Sequence, residues 1–344
     1  MNEQQQLISE TLRRLLTDLC TPDIVDKSES GIFAENLWRA LTETGLTAAG
    51  LGLKVGGSGG DIEDSLLVIR EAARFAAPVP LAEHFIAGLL LSEQGQSIGP
   101  GPVTIATGKF FISDDLSLSG TANNVAFARW SSEVVLVAQA ADGLKLCRVP
   151  TSGFDIIQKN SMAGEPRDAL NVNTKVVEES VFSVDPKTRE RIKLMGAALR
   201  GLMMSGALES VLEMTVKYST ERSQFGKPIS KFQAIQQQMA ILAGEVAASQ
   251  MASHAVVDSF SNLSELDIAI GKARIGEAVS ICTDIAHQVH GAMGYTLEHS
   301  LNHRTRRLWG WREEYGNERE WQEIVGRHFA AQGADKLWGA MTAL

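Results

Sequence analysis

The chain has 344 residues, with 32 Lys and Arg against 41 Asp and Glu, and its net charge of -9 gives no general attraction for nucleic acid or anionic lipid. Hydrophobic residues make up 44% and charged residues 21%, which excludes a disordered chain and suits a globular one with a sizeable core. Cys20, Cys147 and Cys282 are far apart and odd in number, so they offer neither a disulfide framework nor zinc-ligand spacing, and a cytoplasmic location is expected.

From the N-terminus, Ile8, Leu12, Leu15, Leu16 and Leu19 recur at helical spacing, and the pattern returns in Leu37–Leu41 and Ile62–Phe75. The opening stretch MNEQQQLISETLRRLL lacks the apolar run of a signal peptide, and no apolar stretch is long enough to span a bilayer. The glycine run Val55–Asp61 reads as a connecting turn, with Asp61 as N-cap of the helix that follows. It lacks the strand before and the Lys after that a phosphate-binding loop requires.

Beyond Pro100-Gly101-Pro102 the texture changes to short apolar runs, Val103–Ala106, Leu116–Leu118, Val134–Ala138 and Leu144–Val149, separated by Gly, Asp, Asn and Ser. This predicts a small β-domain ending near Val184-Asp185-Pro186. From about Thr188 the chain reads as helical to its end. Gly196, Ala197, Ala198, Gly201 and Gly206 stud one helix with small residues that permit close packing. Phe232, Ile235, Met239, Leu242 and Val246 draw an apolar seam along the next. Helices, strands and helices in that order predict an α+β fold in three domains: helical over 1–100, β over 101–186 and a helical bundle over 187–344.

Two segments carry chemistry. In Tyr218–Gln233, between two predicted helices, Arg222 carries a guanidinium that can grip a pyrophosphate through two parallel charged hydrogen bonds, with the amides of Gln224 and Gln233 and the ring of Phe225 close by in sequence. The plainer alternative makes Arg222 a solvated cation at a helix end. In Ala286–Glu298, Gly291 suits a helix C-cap, and glycine also lets a cofactor approach the backbone. His287 and His290, with Cys282 nearby, lack the further ligands of a metal site, so none is expected.

The first segment resembles the acyl-CoA dehydrogenase motif Arg-x-x-Phe-Gly followed by Phe-Gln, and the second resembles that family's Gln-x-x-Gly-Gly-x-Gly-Tyr. The resemblance implies an acyl-CoA dehydrogenase fold with a C-terminal four-helix bundle and FAD as cofactor. It assigns FAD binding to Arg222, Gln224, Phe225, Gln233, Gln288, Gly291, Ala292 and Gly294, with Ala292 replacing the second glycine of the motif. It further implies an acyl-CoA substrate for α,β-dehydrogenation, an electron-transfer acceptor, and a dimer of dimers built through the C-terminal bundles.

The family's carboxylate base is out of register. Counting forward from Gly294-Tyr295, the expected Glu falls on Tyr315, with Glu314 one residue early and Glu313 a weaker candidate. The alternative helix position falls near Gly196. The β-domain shows neither usual flavin-ring motif, although Ser119 or Thr121 stands where a flavin contact is conceivable. A clear dinucleotide grip beside a degraded base resembles family members that pair two unlike subunits and act on steroid side-chain CoA esters. The expected assembly is therefore a homo- or heterotetramer with another acyl-CoA dehydrogenase-like chain, either catalytic itself or a non-catalytic subunit completing its partner's FAD site.

Overall fold

The computed structural model describes residues 2–342, and the chain divides into two compact units, 1–72 with 76–196 and 73–75 with 197–344.

The first unit begins with α1 (Glu3–Leu19), α2 (Pro22–Glu29) and α3 (Glu35–Glu43), followed by α4 (Ile62–Arg74) and α5 (Leu81–Ser92). The buried Leu12 and Leu16 of α1, and Leu37 and Leu41 of α3, are the apolar stripes that the spacing predicts. Asp61 caps α4 as expected: its side chain accepts from the Asp64 N–H, while the Asp64 carboxylate accepts from the Asp61 N–H. The glycine run before it is a folded turn. At Gly57 an added Cβ would lie 2.0 Å from the Leu51 carbonyl oxygen. α5 escaped the periodicity reading because ten of its twelve residues are buried, leaving no polar face to mark it.

Eight strands follow, β1 (Val103–Ala106), β2 (Gly108–Ile112), β3 (Ser117–Ala126), β4 (Glu133–Ala140), β5 (Gly143–Pro150), β6 (Phe154–Ile157), β7 (Arg167–Lys175) and β8 (Val181–Val184). They form one mixed sheet in the order β6-β7-β3-β2-β4-β5-β8, with β1 pairing parallel to β4 alongside that path. β3 and β7 slip register between Ala122 and Val125, a bulge that leaves Asn124 at φ +57°. Phe110, Leu118, Val134, Leu136 and Leu170 share the buried core of this sheet.

The second unit is helical. α6 (Thr188–Glu221), whose first turns fall in the other unit, is followed by α7 (Gln233–Ser259) and α8 (Glu265–His290), then α9 (Leu301–Glu313), α10 (Glu318–Gln332) and α11 (Ala334–Thr342). Four helices, α6 to α9, close on one core that includes Leu208 and Val211, Leu242 and Val246, Ile275 and Val279, and Leu301 and Leu308. α7 and α8 touch so closely at Gly271 that a Cβ there would lie 2.3 Å from Val256 Cγ2. The seam on α7 is buried only at Leu242 and Val246, and Phe232, Ile235 and Met239 stay half-exposed. Among the described residues no helix is long and apolar enough to cross a membrane.

Candidate functional site

The segment between α6 and α7 is a two-residue β-hairpin. β9 (Ser223–Gln224) pairs antiparallel with β10 (Lys227–Pro228), leaving Phe225 and Gly226 at the tip. Both tip residues have positive φ, +52° and +78°, which is the primed turn that suits the natural strand twist. Glycine takes that conformation freely. A phenylalanine there is strained by about 1–2 kcal/mol, because its Cβ crowds the backbone. The same Phe225 side chain is 92% exposed. A large apolar ring is thus held at a strained backbone position and left in water, an arrangement that suits a contact surface.

Around the tip the charges are arranged for an anion. Arg222 follows the last turn of α6, is exposed, and has no side-chain partner among the described residues. Its acidic neighbour Glu221 faces Lys217 at 4.0 Å, so the Arg222 charge stays uncompensated. Lys227 sits 4.5 Å from the Phe232 ring centroid, and that ring meets Phe225 edge-on at 6.2 Å. Gln224 and Gln233 are exposed beside them.

The second segment ends α8. Gln288 is exposed on the last turn, and Gly291 caps the helix at φ +58°, ψ -140°, a conformation open essentially to glycine alone. An added Cβ at Gly291 would meet nothing within 4 Å, so the backbone there faces open space, with Ala292 exposed next to it. Gly294 differs. It is buried, and a Cβ would lie 2.9 Å from His290 Cβ and 3.2 Å from His287 Nδ1, so this glycine answers to the fold's own side chains.

The two segments meet within the helical unit. Tyr218, one turn before Arg222, stacks on His290, immediately before Gly291, with ring centroids 4.4 Å apart and an angle of 26°. Since α8 presents its C-terminus, the carbonyl end of its dipole gives an anion no attraction, and the positive charge has to come from Arg222. An exposed guanidinium without a partner, two exposed amides and an open glycine backbone fit the pyrophosphate and neutral edges of a dinucleotide such as FAD.

The candidate base is placed differently. Glu314 is the C-cap of α9, and its Oε2 accepts from Arg200 Nε on α6 at 2.6 Å, with Arg200 only 2% exposed. Tyr315 takes φ +58° in the loop between α9 and α10, and the Arg200 guanidinium carbon lies 5.6 Å from its ring centroid. Lys272 on α8 is buried and donates to the Trp311 and Arg312 carbonyls at 3.3 and 2.8 Å, satisfying the end of α9. Burial pushes its amine down to about 8, against the raising influence of Glu318. Arg312 pairs with Glu318 at 2.7 Å, and Trp321 donates to the Gly316 carbonyl at 3.1 Å. Glu313 is exposed and accepts from Asn317 at 3.3 Å. On the helix alternative, Gly196 is buried in α6.

Sequence reasoning missed Arg200 and Lys272. The signal for Arg200 was a lone charge inside the apolar helical run Ala197–Met204, since a buried charge demands a partner; Lys272 shares its run Ile268–Ile275 with Arg274 and was less marked. In the other unit, Ser119 and Thr121 are exposed on one face of β3. Of the three residues weighed as metal ligands, Cys282 is buried, with its thiol pushed up to about 12 by burial, His290 stacks on Tyr218 and His287 stacks on Tyr295.

A family model described as the acyl-CoA dehydrogenase N-terminal domain matches residues 2–96, and one described as the acyl-CoA dehydrogenase C-terminal domain matches residues 194–326. The chain belongs to the acyl-CoA dehydrogenase family. Acyl-CoA dehydrogenase IpdE2 of Mycolicibacterium smegmatis is 28% identical over 327 residues, covering 93% of this chain and 97% of that protein. The fold of the ChsE4-ChsE5 complex from Mycobacterium tuberculosis matches with a TM-score of 0.87 at 20% identity, over 96% of this chain and 98% of that one. A glutaryl-coenzyme A dehydrogenase in complex with glutaryl-CoA matches with a TM-score of 0.86 at 20% identity, over 95% of each chain. Dehydrogenation of acyl-CoA thioesters is the activity of the acyl-CoA dehydrogenase family, and FAD is its cofactor.

Proposed function

We propose that this chain is the FAD-gripping subunit of an acyl-CoA dehydrogenase that desaturates an acyl-CoA thioester between Cα and Cβ, and that a second acyl-CoA dehydrogenase-like chain supplies the base. The observation that carries this reading is the contrast within one unit. Arg222 is exposed and unpartnered beside the strained, water-facing Phe225, whereas Glu314 is spent on a buried arginine.

Arg222, Gln224, Phe225, Gln233, Gln288, Gly291 and Ala292 would hold FAD, and Gly294 would shape the turn beneath them. FAD, when bound, takes up the hydrogen that leaves Cβ. Removal of the α-proton needs a carboxylate within hydrogen-bond reach, free of competing partners. Glu314 has both a partner and a structural task, and position 315 offers a tyrosine in place of the carboxylate base. In this reading the chain's own groups bind, orient and exclude water, and the proton leaves to the partner.

The relatives' names support an assembly of unlike subunits and a steroid-derived acyl group: besides the ChsE4-ChsE5 complex, a Tcur3481-Tcur3483 steroid ACAD shares the fold at a TM-score of 0.85 and 20% identity, and a tetramer belongs to the same proposal. The three-domain division at 100 and 186, a cytoplasmic location and an external electron acceptor belong to the same proposal. The test mixes the purified chain with a carboxylate-bearing partner. Activity that appears only in the mixture supports the reading, and ordinary turnover by the chain alone refutes it. Within the assembled protein, Arg222→Ala weakens FAD about ten- to a hundredfold, the loss of one charge-assisted contact; unchanged flavin affinity would remove Arg222 from the site.

A further inference from the structure

Five rings lie between the two cofactor segments. His290 is 2% exposed and stacks on Tyr218. His299 stands edge-on to both, 4.7 Å from His290 and 6.1 Å from Tyr218, while His287 stacks on Tyr295 at 4.6 Å. His290 Nδ1 is 2.7 Å from the Ala286 carbonyl, which can only accept, so Nδ1 carries the hydrogen and Nε2 presents a lone pair. That Nε2 is buried and has no hydrogen-bond partner.

An orphaned acceptor is costly inside a fold, and a hydrocarbon ring would fill the same space without it. What the imidazole ring does follows from its place on the chain. Its ring is the contact between the last full turn of the helix bearing Arg222 and the cap bearing Gly291, and Gly294 closes beneath its Cβ at a distance no larger residue tolerates. Since Arg222 provides the charge and the Gly291 turn the neutral surface, both must keep one spacing for a single dinucleotide to touch both.

We propose that His290 is a positioning residue for the cofactor grip, its ring stacked on Tyr218 to hold the Arg222 end of α6 against the Gly291 turn. This rests on the FAD reading above. Geometry of this kind is sensitive to charge. Burial holds His290, His287 and His299 below the usual histidine range; the other charged groups bearing on them are Asp284 on α8, which favours a proton on His287, and Arg304 on α9, which disfavours one on His299. From α6 the titratable group that faces them is Tyr218. A proton arriving on the cluster faces two further imidazoles, and the spacing loosens.

The experiment titrates the deflavinated, fully assembled protein with FAD at pH 7.5 and 5.5, following flavin fluorescence, for the parent, His290→Ala, His290→Phe and Arg222→Ala. At pH 7.5, His290→Ala is expected to weaken FAD about two- to tenfold, the range one aromatic pair contributes. His290→Phe, which keeps the ring and drops the titrating nitrogen, restores parental affinity and loses less on acidification than the parent does. Parental affinity in His290→Ala, or equal weakness in His290→Phe and His290→Ala, overturns the proposal. Arg222→Ala separates the layers: if it weakens FAD while His290→Ala is silent, only the positioning role fails, and if both are silent the FAD reading fails with it. Should His290→Ala not fold, Tyr218→Leu removes the stack from the other side and is judged by the same outcomes.

Discussion

Replacing Glu314 with glutamine separates the anchoring role from the catalytic one, because the two predict losses in different measurements. The carboxylate meets Arg200 Nε at 2.6 Å, and the arginine is 2% exposed, so little water is available to take over its charge. A charge-assisted hydrogen bond contributes about 1.5–3 kcal/mol and a neutral one about 1, so Glu314→Gln, which keeps an acceptor oxygen in place, costs roughly 0.5–2 kcal/mol of stability. Lys272 adds to the expected loss by setting a second buried cation near the end of α9. The assay is urea denaturation of the chain, read as a lowered midpoint, together with turnover of the assembled enzyme per folded molecule. The expected outcome is a lower midpoint with turnover retained. Arg200→Met combined with Glu314→Gln should cost clearly less than the sum of the single changes, since the second removes a group the first has already orphaned. An unchanged midpoint with abolished turnover would refute this reasoning and make Glu314 the base.

Other expectations follow from the same geometry. Phe225→Gly relieves the strained tip, so it leaves the isolated chain within about 1 kcal/mol of the parent in denaturation, glycine's greater unfolded-state freedom offsetting the gain, while FAD retention by the assembly falls; full retention would remove Phe225 from the site. Gly276→Ala forces a Cβ to within 1.9 Å of Glu318 Oε1 and so dislodges the Arg312–Glu318 pair, destabilising the helical unit by about 1–3 kcal/mol in thermal or urea unfolding. His84, buried and held down to about 4, accepts from the Val103 N–H through Nδ1. Its folded value lies below its unfolded one of about 6.5, so its contribution is whole above that pH and is lost as pH falls toward 4, up to about 3 kcal/mol. His84→Gln should flatten that part of the stability profile, and an unaltered profile would contradict the assignment.

What the sequence disclosed depended on how far apart the interacting residues lie. The segment bearing Arg222 and Phe225 is contiguous, so it could be matched to the family motif as a stretch between two helices, while the strand pairing and the turn at Phe225-Gly226 came only with the structure. The α+β order of elements was legible because α1 and α3 bury one clean stripe and β1, β4 and β5 are short apolar runs. β7 was hidden by its polar exposed residues, and β2 by a Lys and three turn-forming neighbours; such strands are settled by pairing partners distant in sequence, as β3 and β7 show. The base loop shows the same limit at the site. Glu314 and Arg200 are 114 residues apart, and Lys272 is about 40 from the carbonyls it holds. A gap-free count could place Tyr315 at the base position, but only the folded helices reveal that the neighbouring carboxylate already has a cation. The same unit thus leaves one arginine free, on an exposed hairpin, and engages another with the best candidate for a base. That unequal use of two arginines is the physical ground for assigning this chain the grip and a partner the proton.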